Sequence, residues 1–253
     1  MAATSASLPF SAAQAQNLLT NGSFENIPAT AFVNNGQGYM ALPAGSTAIP
    51  GWTVIGDQIT WLLSGSQSFG STPFGSLFLD LTGTHDNTSY GGIAQTITTI
   101  PALTYTVSVS VGVNQNDPFG IGSKSILVTA GTSSTSFTFT PSGTGMQWSN
   151  FYFSFVATSS STPLSIVGTS SGSGNQSLFF DNISVLAGFP TLTIAPAAPW
   201  QLTVSWLPDI PGYLLQESPS FTSVSWTNSA SGVTNPITVL VAFPNRFYRL
   251  HHP

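Results

Sequence analysis

Apolar and polar residues alternate with period two along most of the chain. From Leu103 to Val113, the side chains of Leu103, Tyr105, Val107, Val109, Val111 and Val113 are interleaved with Thr104, Thr106, Ser108, Ser110 and Gly112, the mark of a strand buried on one face. Shorter alternations cover Ile93–Ile97, Ile126–Val128, Phe137–Phe139, Phe151–Phe155, Leu164–Val167 and Phe179–Val185, each bounded by Gly, Ser, Asn or Pro. No useful length of chain carries a 3.6-residue stripe, and the helix formers Lys and Glu are nearly absent. The pattern predicts an all-β protein, a sandwich or jelly roll.

The pattern restarts after Gly188-Phe189-Pro190. Trp200, Leu202, Val204 and Trp206 share one strand face, and Tyr213–Gln216, Trp226, Ile237–Phe243 and Phe247–Leu250 supply further short apolar runs. Residues 17–187 are expected to form one β-sandwich and residues 190–253 a small second one of immunoglobulin or fibronectin type. The second is near the lower size limit for a lone core and should lean on the first. Ala195-Pro196-Ala197-Ala198-Pro199 is expected as a loop inside it. Residues 1–16 end near Ala13-Gln14-Ala15, which fits the small-x-small pattern of a signal-peptidase site, but the basic and apolar parts of a leader are missing. A leader remnant and a flexible arm are both open.

Composition narrows the function. Only 4% of the residues are charged, with three Lys+Arg against eight Asp+Glu, where an average soluble domain has about 25%. So few cations, at a net charge of −5, cannot neutralise a phosphate backbone, which excludes nucleic acid, and they argue equally against anionic membranes. No run of 18 apolar residues exists to span a bilayer. The absence of Cys removes disulfides, thiolate catalysis and Cys-ligated metals. With 41% hydrophobic residues the chain is not compositionally disordered. Its solubilising layer must be hydroxyls and amides, which suits an extracellular or cell-surface location.

Several phrases resemble a known family. Asn17–Glu25 (NLLTNGSFE) followed by Ile49-Pro50-Gly51-Trp52, then Leu77–Gly83 (LFLDLTG), Gly91–Thr98 (GGIAQTIT) and Phe179–Val185 (FFDNISV) come in order. Together they resemble the domain-of-unknown-function 642 family of plant cell-wall and bacterial envelope proteins, within the galactose-binding-like jelly rolls. The resemblance covers residues 17–187 and implies a galactose-binding-like jelly-roll β-sandwich, with Trp52 in its core. The family's paired cysteines are missing, which favours a bacterial branch. The marks Leu202–Trp206, Tyr213–Ser218, Trp226-Thr227 and Asn245–Leu250 resemble a short β-module at the end of secreted bacterial proteins, and imply a surface or anchoring appendage.

In folds of this type the first and last segments lie side by side, so the resemblance implies that Glu25 and Asp181 could share a structural Ca2+ with backbone carbonyls. Asp181 is in phase with Phe179, Ile183 and Val185, so its carboxylate is expected to point into the core and to need a cation or several N–H donors. Acceptance of backbone hydrogen bonds alone is the competing account.

Neutral sugars are held by aromatic faces and by amide and hydroxyl hydrogen bonds, none of which needs net charge. The candidates are Trp61, Asp86, Tyr90, Asn114, Asn116, Trp148 and Tyr152. Trp148 shares a phase with Asn150, Tyr152 and Ser154, opposite Phe151, Phe153 and Phe155, so a Trp–Tyr platform on one strand face is expected. Packing of these aromatics under loops or against the second module is the alternative. Catalysis is poorly supplied: the three His are His85, His251 and His252, no G-x-S-x-G elbow occurs, and Asp57, Asp80, Asp86 and Asp117 have simpler turn or strand roles. The sequence therefore reads as a secreted, non-catalytic protein whose partner is neutral polysaccharide or extracellular matrix. A second reading is a self-assembling subunit of a surface fibre, its partner other copies of itself, since edge strands here lack protective Lys. Ser7-Leu8-Pro9-Phe10 would be the donated strand.

Overall fold

The computed structural model describes residues 16–27, 36–66, 70–84, 90–117, 121–170, 177–207, 209, 212–220, 226–230, 234–240 and 246–251. Among the described residues the first part of the chain forms eleven strands: β1 (Tyr39–Leu42), β2 (Thr53–Gly56), β3 (Ile59–Leu63), β4 (Leu77–Asp80), β5 (Gly91–Thr98), β6 (Thr104–Asn114), β7 (Lys124–Ala130), β8 (Ser133–Phe139), β9 (Met146–Val156), β10 (Ser161–Gly168) and β11 (Phe179–Ala187). They make a jelly-roll sandwich of a six-stranded sheet, in the order β1-β3-β4-β11-β6-β9, and a five-stranded sheet, β2-β5-β10-β7-β8. All the pairings are antiparallel.

The alternation read from the sequence sets which side chains meet between the sheets. Tyr105, Val107, Val109 and Val111 of β6, Trp61 of β3, Leu79 of β4 and Phe180 of β11 face Val54, Ile93, Val128, Leu164 and Ile166 of the second sheet, all buried in one cluster. Each such side chain contributes roughly 1.5–3 kcal/mol by leaving water. Trp61, expected among the sugar-contacting aromatics, is fully buried here. Four of the five β3 residues are buried, because this strand is covered on both faces.

The opening motif is a strap along β11. Asn17 donates from Nδ2 to the Ile183 carbonyl (3.1 Å) and accepts at Oδ1 from the Val185 amide (2.9 Å) and the Leu19 amide (3.1 Å). Ile183 in turn donates to the Gly22 carbonyl at 2.8 Å. A Cβ on Gly22 would stand 2.2 Å from the Ile183 oxygen, so only glycine allows this approach. Trp52 Nε1 donates to the Asn21 carbonyl at 3.0 Å, and the ring lies in the core as expected.

Where the strap docks, β11 bulges. Its register against β6 shifts between Asp181 and Ser184, and Asn182 takes a left-handed φ of 51°. The extra residue reverses the phase of the strand. Phe180, Ile183 and Val185 point into the inter-sheet core, whereas Phe179 belongs to a separate cluster with Leu62 and Phe78 on the outer face. Asp181, two residues from Phe179, falls on that outer face too. The expectation that it points into the core fails because simple alternation does not count a bulge.

Among the described residues from Thr191 onward six strands pair only among themselves: β12 (Thr191–Ala198), β13 (Gln201–Leu207), β14 (Leu214–Ser218), β15 (Thr227–Asn228), β16 (Ile237–Leu240) and β17 (Phe247–His251). They form two three-stranded sheets, β12-β13-β16 and β15-β14-β17, around Val204, Trp206 and Leu215. Ala195–Ala198 is strand rather than the expected loop. A register shift between Pro196 and Ala198 accommodates the proline, and the turn follows at Pro199 and Trp200. Tyr213 of this part packs against the core of the first sandwich. Among the described residues no helix is long and apolar enough to cross a membrane.

Candidate functional site

The outer face of the six-stranded sheet carries most of the candidate residues, and it is divided in two. One half lies beneath the connection between β3 and β4. Trp148, at the start of β9, is half-buried there: its Nε1 donates to the Ser71 carbonyl at 3.0 Å, and its ring meets Phe74 and Phe78 edge-on, with centroids 5.6 and 6.2 Å apart. The ring has room because its partner across the ladder is Gly112, where a Cβ would lie 2.8 Å from the indole. Trp148 therefore anchors a loop, and the Trp–Tyr platform reduces to its tyrosine.

Two carboxylates hold the same connection. Glu25 accepts at Oε1 from the amides of Ser76 (2.8 Å) and Leu77 (2.7 Å). Asp181 accepts from the Thr72 hydroxyl at Oδ2 and from the Asn182 amide at Oδ1. Asp181 is wholly shielded from water. Burial pushes its carboxyl from 3.8 up to about 7, Glu25 adding to the rise while the Thr72 and Asn182 hydrogen bonds oppose it. The two carboxyl groups repel one another, and one of them is buried. Among the described residues no group of three His, Cys, Asp or Glu side chains gathers, so any cation here would complete its shell with hydroxyl and backbone oxygens.

The other half of the face is open. Tyr152, four residues along β9 from Trp148, is 64% exposed. Around it run ladders of neutral polar groups: Ser108 with Ser184 at 2.7 Å, Thr106 with Ser154 at 3.1 Å, and Ser110 donating to Asn150 at 2.7 Å. The polar positions of the Leu103–Val113 alternation and of β9 supply most of these groups. Ser184, between the core residues Ile183 and Val185, falls on this face by simple alternation and joins it through Ser108. No charged residue occurs between Lys124 and Asp181, so the β9 side of the face is neutral throughout.

The remaining candidates lie at the end of the sandwich where β6 stops. Asn114 and Asn116 are turn builders: Asn114 Oδ1 accepts from the Asn116 amide and Asn116 Oδ1 from the Gly145 amide, both at 3.1 Å. Tyr90 is half-buried against Gly168, and burial raises its hydroxyl. Asp86 lies outside the described residues, as does the proposed donor strand Ser7–Phe10. Nearby, Asp80 accepts from the Thr82 amide and hydroxyl and the Leu178 amide at 2.6 to 3.1 Å. Lys124 is buried with it; burial lowers its ammonium, and the fields of Asp80 and Asp117 raise it. These contacts stitch loops together.

Residues 17–179 match the family described as protein of unknown function (DUF642). Over 190 residues the chain is 29% identical to halomucin of Haloquadratum walsbyi, spanning 73% of this chain but only 2% of that protein. Similar solved structures include the C-terminal family 22 carbohydrate-binding module of Clostridium thermocellum Xyn10B (15% identity, 61% of this chain and 96% of that one, TM-score 0.37). Another is TmCBM61 in complex with β-1,4-galactotriose (13% identity, 68% and 99%, TM-score 0.35). A third is an arabinose-bound α-L-arabinofuranosidase (16% identity, 68% and 26%, TM-score 0.44).

Proposed function

This chain belongs to the DUF642 family, and from its open, uncharged sheet face we propose that it is a non-catalytic extracellular protein that binds neutral polysaccharide. The observation that carries the reading is Tyr152, a ring 64% exposed on a rigid strand and ringed by amide and hydroxyl groups. The ring offers an apolar face to the C–H surface of a sugar, and Asn150, Ser154 and Ser108 offer donors and acceptors to its hydroxyls. Each of those hydrogen bonds replaces one to water, so its net worth is about 1 kcal/mol and a single site is weak. A secreted bacterial protein is the setting this chemistry suits, with the C-terminal sandwich as a surface or anchoring appendage. The test is retention on insoluble cellulose, xylan and pectin: the parent binds at least one, and Tyr152→Ala loses it. Failure of the parent on all three, or full retention by Tyr152→Ala, overturns the reading.

The same reading includes a structural Ca2+ held by Glu25 and Asp181. The ion would neutralise the two carboxylates and cross-link the N-terminal strap, β11 and the β3–β4 connection, with no part in any reaction. Melting temperature in calcium and in chelator measures it.

A further inference from the structure

We propose that the edge of β9 that no described residue pairs with is a dimer interface, on which a second copy of this chain pairs its own β9 antiparallel. Among the described residues the sandwich has four edge strands, and three of them are shorter than β9: β1 and β2 have four residues each and β8 has seven. Shortness is one of the ordinary protections against strand addition. β9 has eleven residues, is paired to β6 through every one of them without a bulge, and contains neither proline nor charge. It is the end strand of its sheet. Lys, Pro, bulges and brevity, the usual devices that blunt an edge, are all missing from it. The edge runs for about 37 Å at ordinary strand rise.

The occupant follows from charge and symmetry. Ser125 to Phe180 contains no Asp, Glu, Lys, Arg or His, so this flank offers nothing to select a charged partner, and two copies meet there without repulsion. A two-fold axis at Phe151 sets Tyr152 opposite Asn150, Trp148 opposite Ser154 and Met146 opposite Val156 of the second copy. The flank is already closed from inside, since Phe151 packs on Phe137 of β8 with ring centroids 5.1 Å apart. Tyr152 and Val156, exposed by 64% and 53%, gain cross-strand neighbours on pairing. The two six-stranded sheets become one of twelve strands, with both Tyr152 residues on one face as diagonal neighbours roughly 7–8 Å apart. That this doubles a sugar platform rests on the polysaccharide reading; the interface itself does not.

The experiment is sedimentation velocity on the full chain without sugar, from micromolar to near-millimolar concentration. The parent is expected to dimerise. Asn150→Lys combined with Tyr152→Lys places like charges opposite one another in the pair and gives a monomer, as does Asn150→Glu combined with Tyr152→Glu. An equimolar mixture of the two variants recovers the dimer, a result that misfolding cannot produce. A parent that stays monomeric, a variant that still dimerises, or a mixture that fails to recover overturns the proposal. Hydrogen exchange adds one further outcome: protection, in a dilute monomer, of the β9 amides that point away from β6 shows that a segment of the same chain covers the edge, which overturns it as well.

Discussion

Trp148 and Tyr152 stand four residues apart on β9, point to the same side, and have opposite fates. The tryptophan is pinned under the β3–β4 connection through Ser71, Phe74 and Phe78, while the tyrosine stays 64% exposed. Strand phase is the same for both, so the difference comes from elements remote in sequence. Glu25 and Asp181 clamp that connection over one half of the sheet, and nothing described covers the other. A phase argument can tell which face a residue occupies; it cannot tell whether a loop lies on that face. The covered half is a stability device, and the open half is where a ligand can reach the protein.

The strongest way to break this division acts on Asp181. Its carboxyl titrates at about 7 in the folded protein against 3.8 in the unfolded chain. The folded state therefore holds the proton more tightly. The resulting stabilisation is fully present below pH ~4, is lost as pH rises from 4 to 7, and stays lost above that. At 1.36 kcal/mol per unit of difference the loss is at most about 4 kcal/mol. In chelator, the melting temperature should fall on going from pH 5 to pH 8, and Asp181→Asn should flatten the dependence. Calcium, which needs the ionised carboxylate, should raise the melting temperature more at pH 8 than at pH 5. A chelated parent whose stability is flat from pH 4 to 8 contradicts the burial of this acid, and no calcium response at pH 8 rejects the ion.

Next in size is Trp148→Ala, which removes the ring between β9 and the connection together with its hydrogen bond to Ser71. A large-to-small change at a packed aromatic costs about 3 kcal/mol. Urea denaturation is the measurement, and a change below about 0.5 kcal/mol would mean that the connection is held without the tryptophan.

Much of the fold lay open in the residue pattern, for reasons local to the strands. The Thr and Ser of β6 alternate with Tyr105, Val107 and Val109 because one face is buried and the other is not, and Trp52 occupies the core position that its motif implies. Three features were hidden. Trp61 looks like a binding aromatic in a turn-rich stretch, yet β3 is covered on both faces, and only tertiary structure shows that. The reversed phase of Asp181 depends on a one-residue bulge at Asn182, a residue of ordinary β11 sequence. Pro196 argued for a loop, but at an edge strand its missing N–H costs nothing when it lies beside a register shift. Of the candidate site, Tyr152 survives on the open face, Trp148 and the carboxylate pair turn out to hold a loop, and Asn114 and Asn116 build turns.

Removing Tyr152 should cost little stability and all of the binding. Tyr152→Ala deletes a ring that is largely exposed, and surface substitutions of this kind change stability within about 0.5 kcal/mol. Polysaccharide retention should nevertheless disappear, because the proposed sugar-stacking surface is gone while the Ser108, Ser154 and Asn150 network keeps its backbone geometry. Trp148→Ala should show the reverse order, a large stability loss, with retention lost only in proportion to unfolding. Measuring both variants by urea denaturation and by retention on the same insoluble polymer separates the halves. Were Tyr152→Ala to destabilise as much as Trp148→Ala, the open half would be structural too, and β9 would be one continuous packing surface from Met146 to Val156.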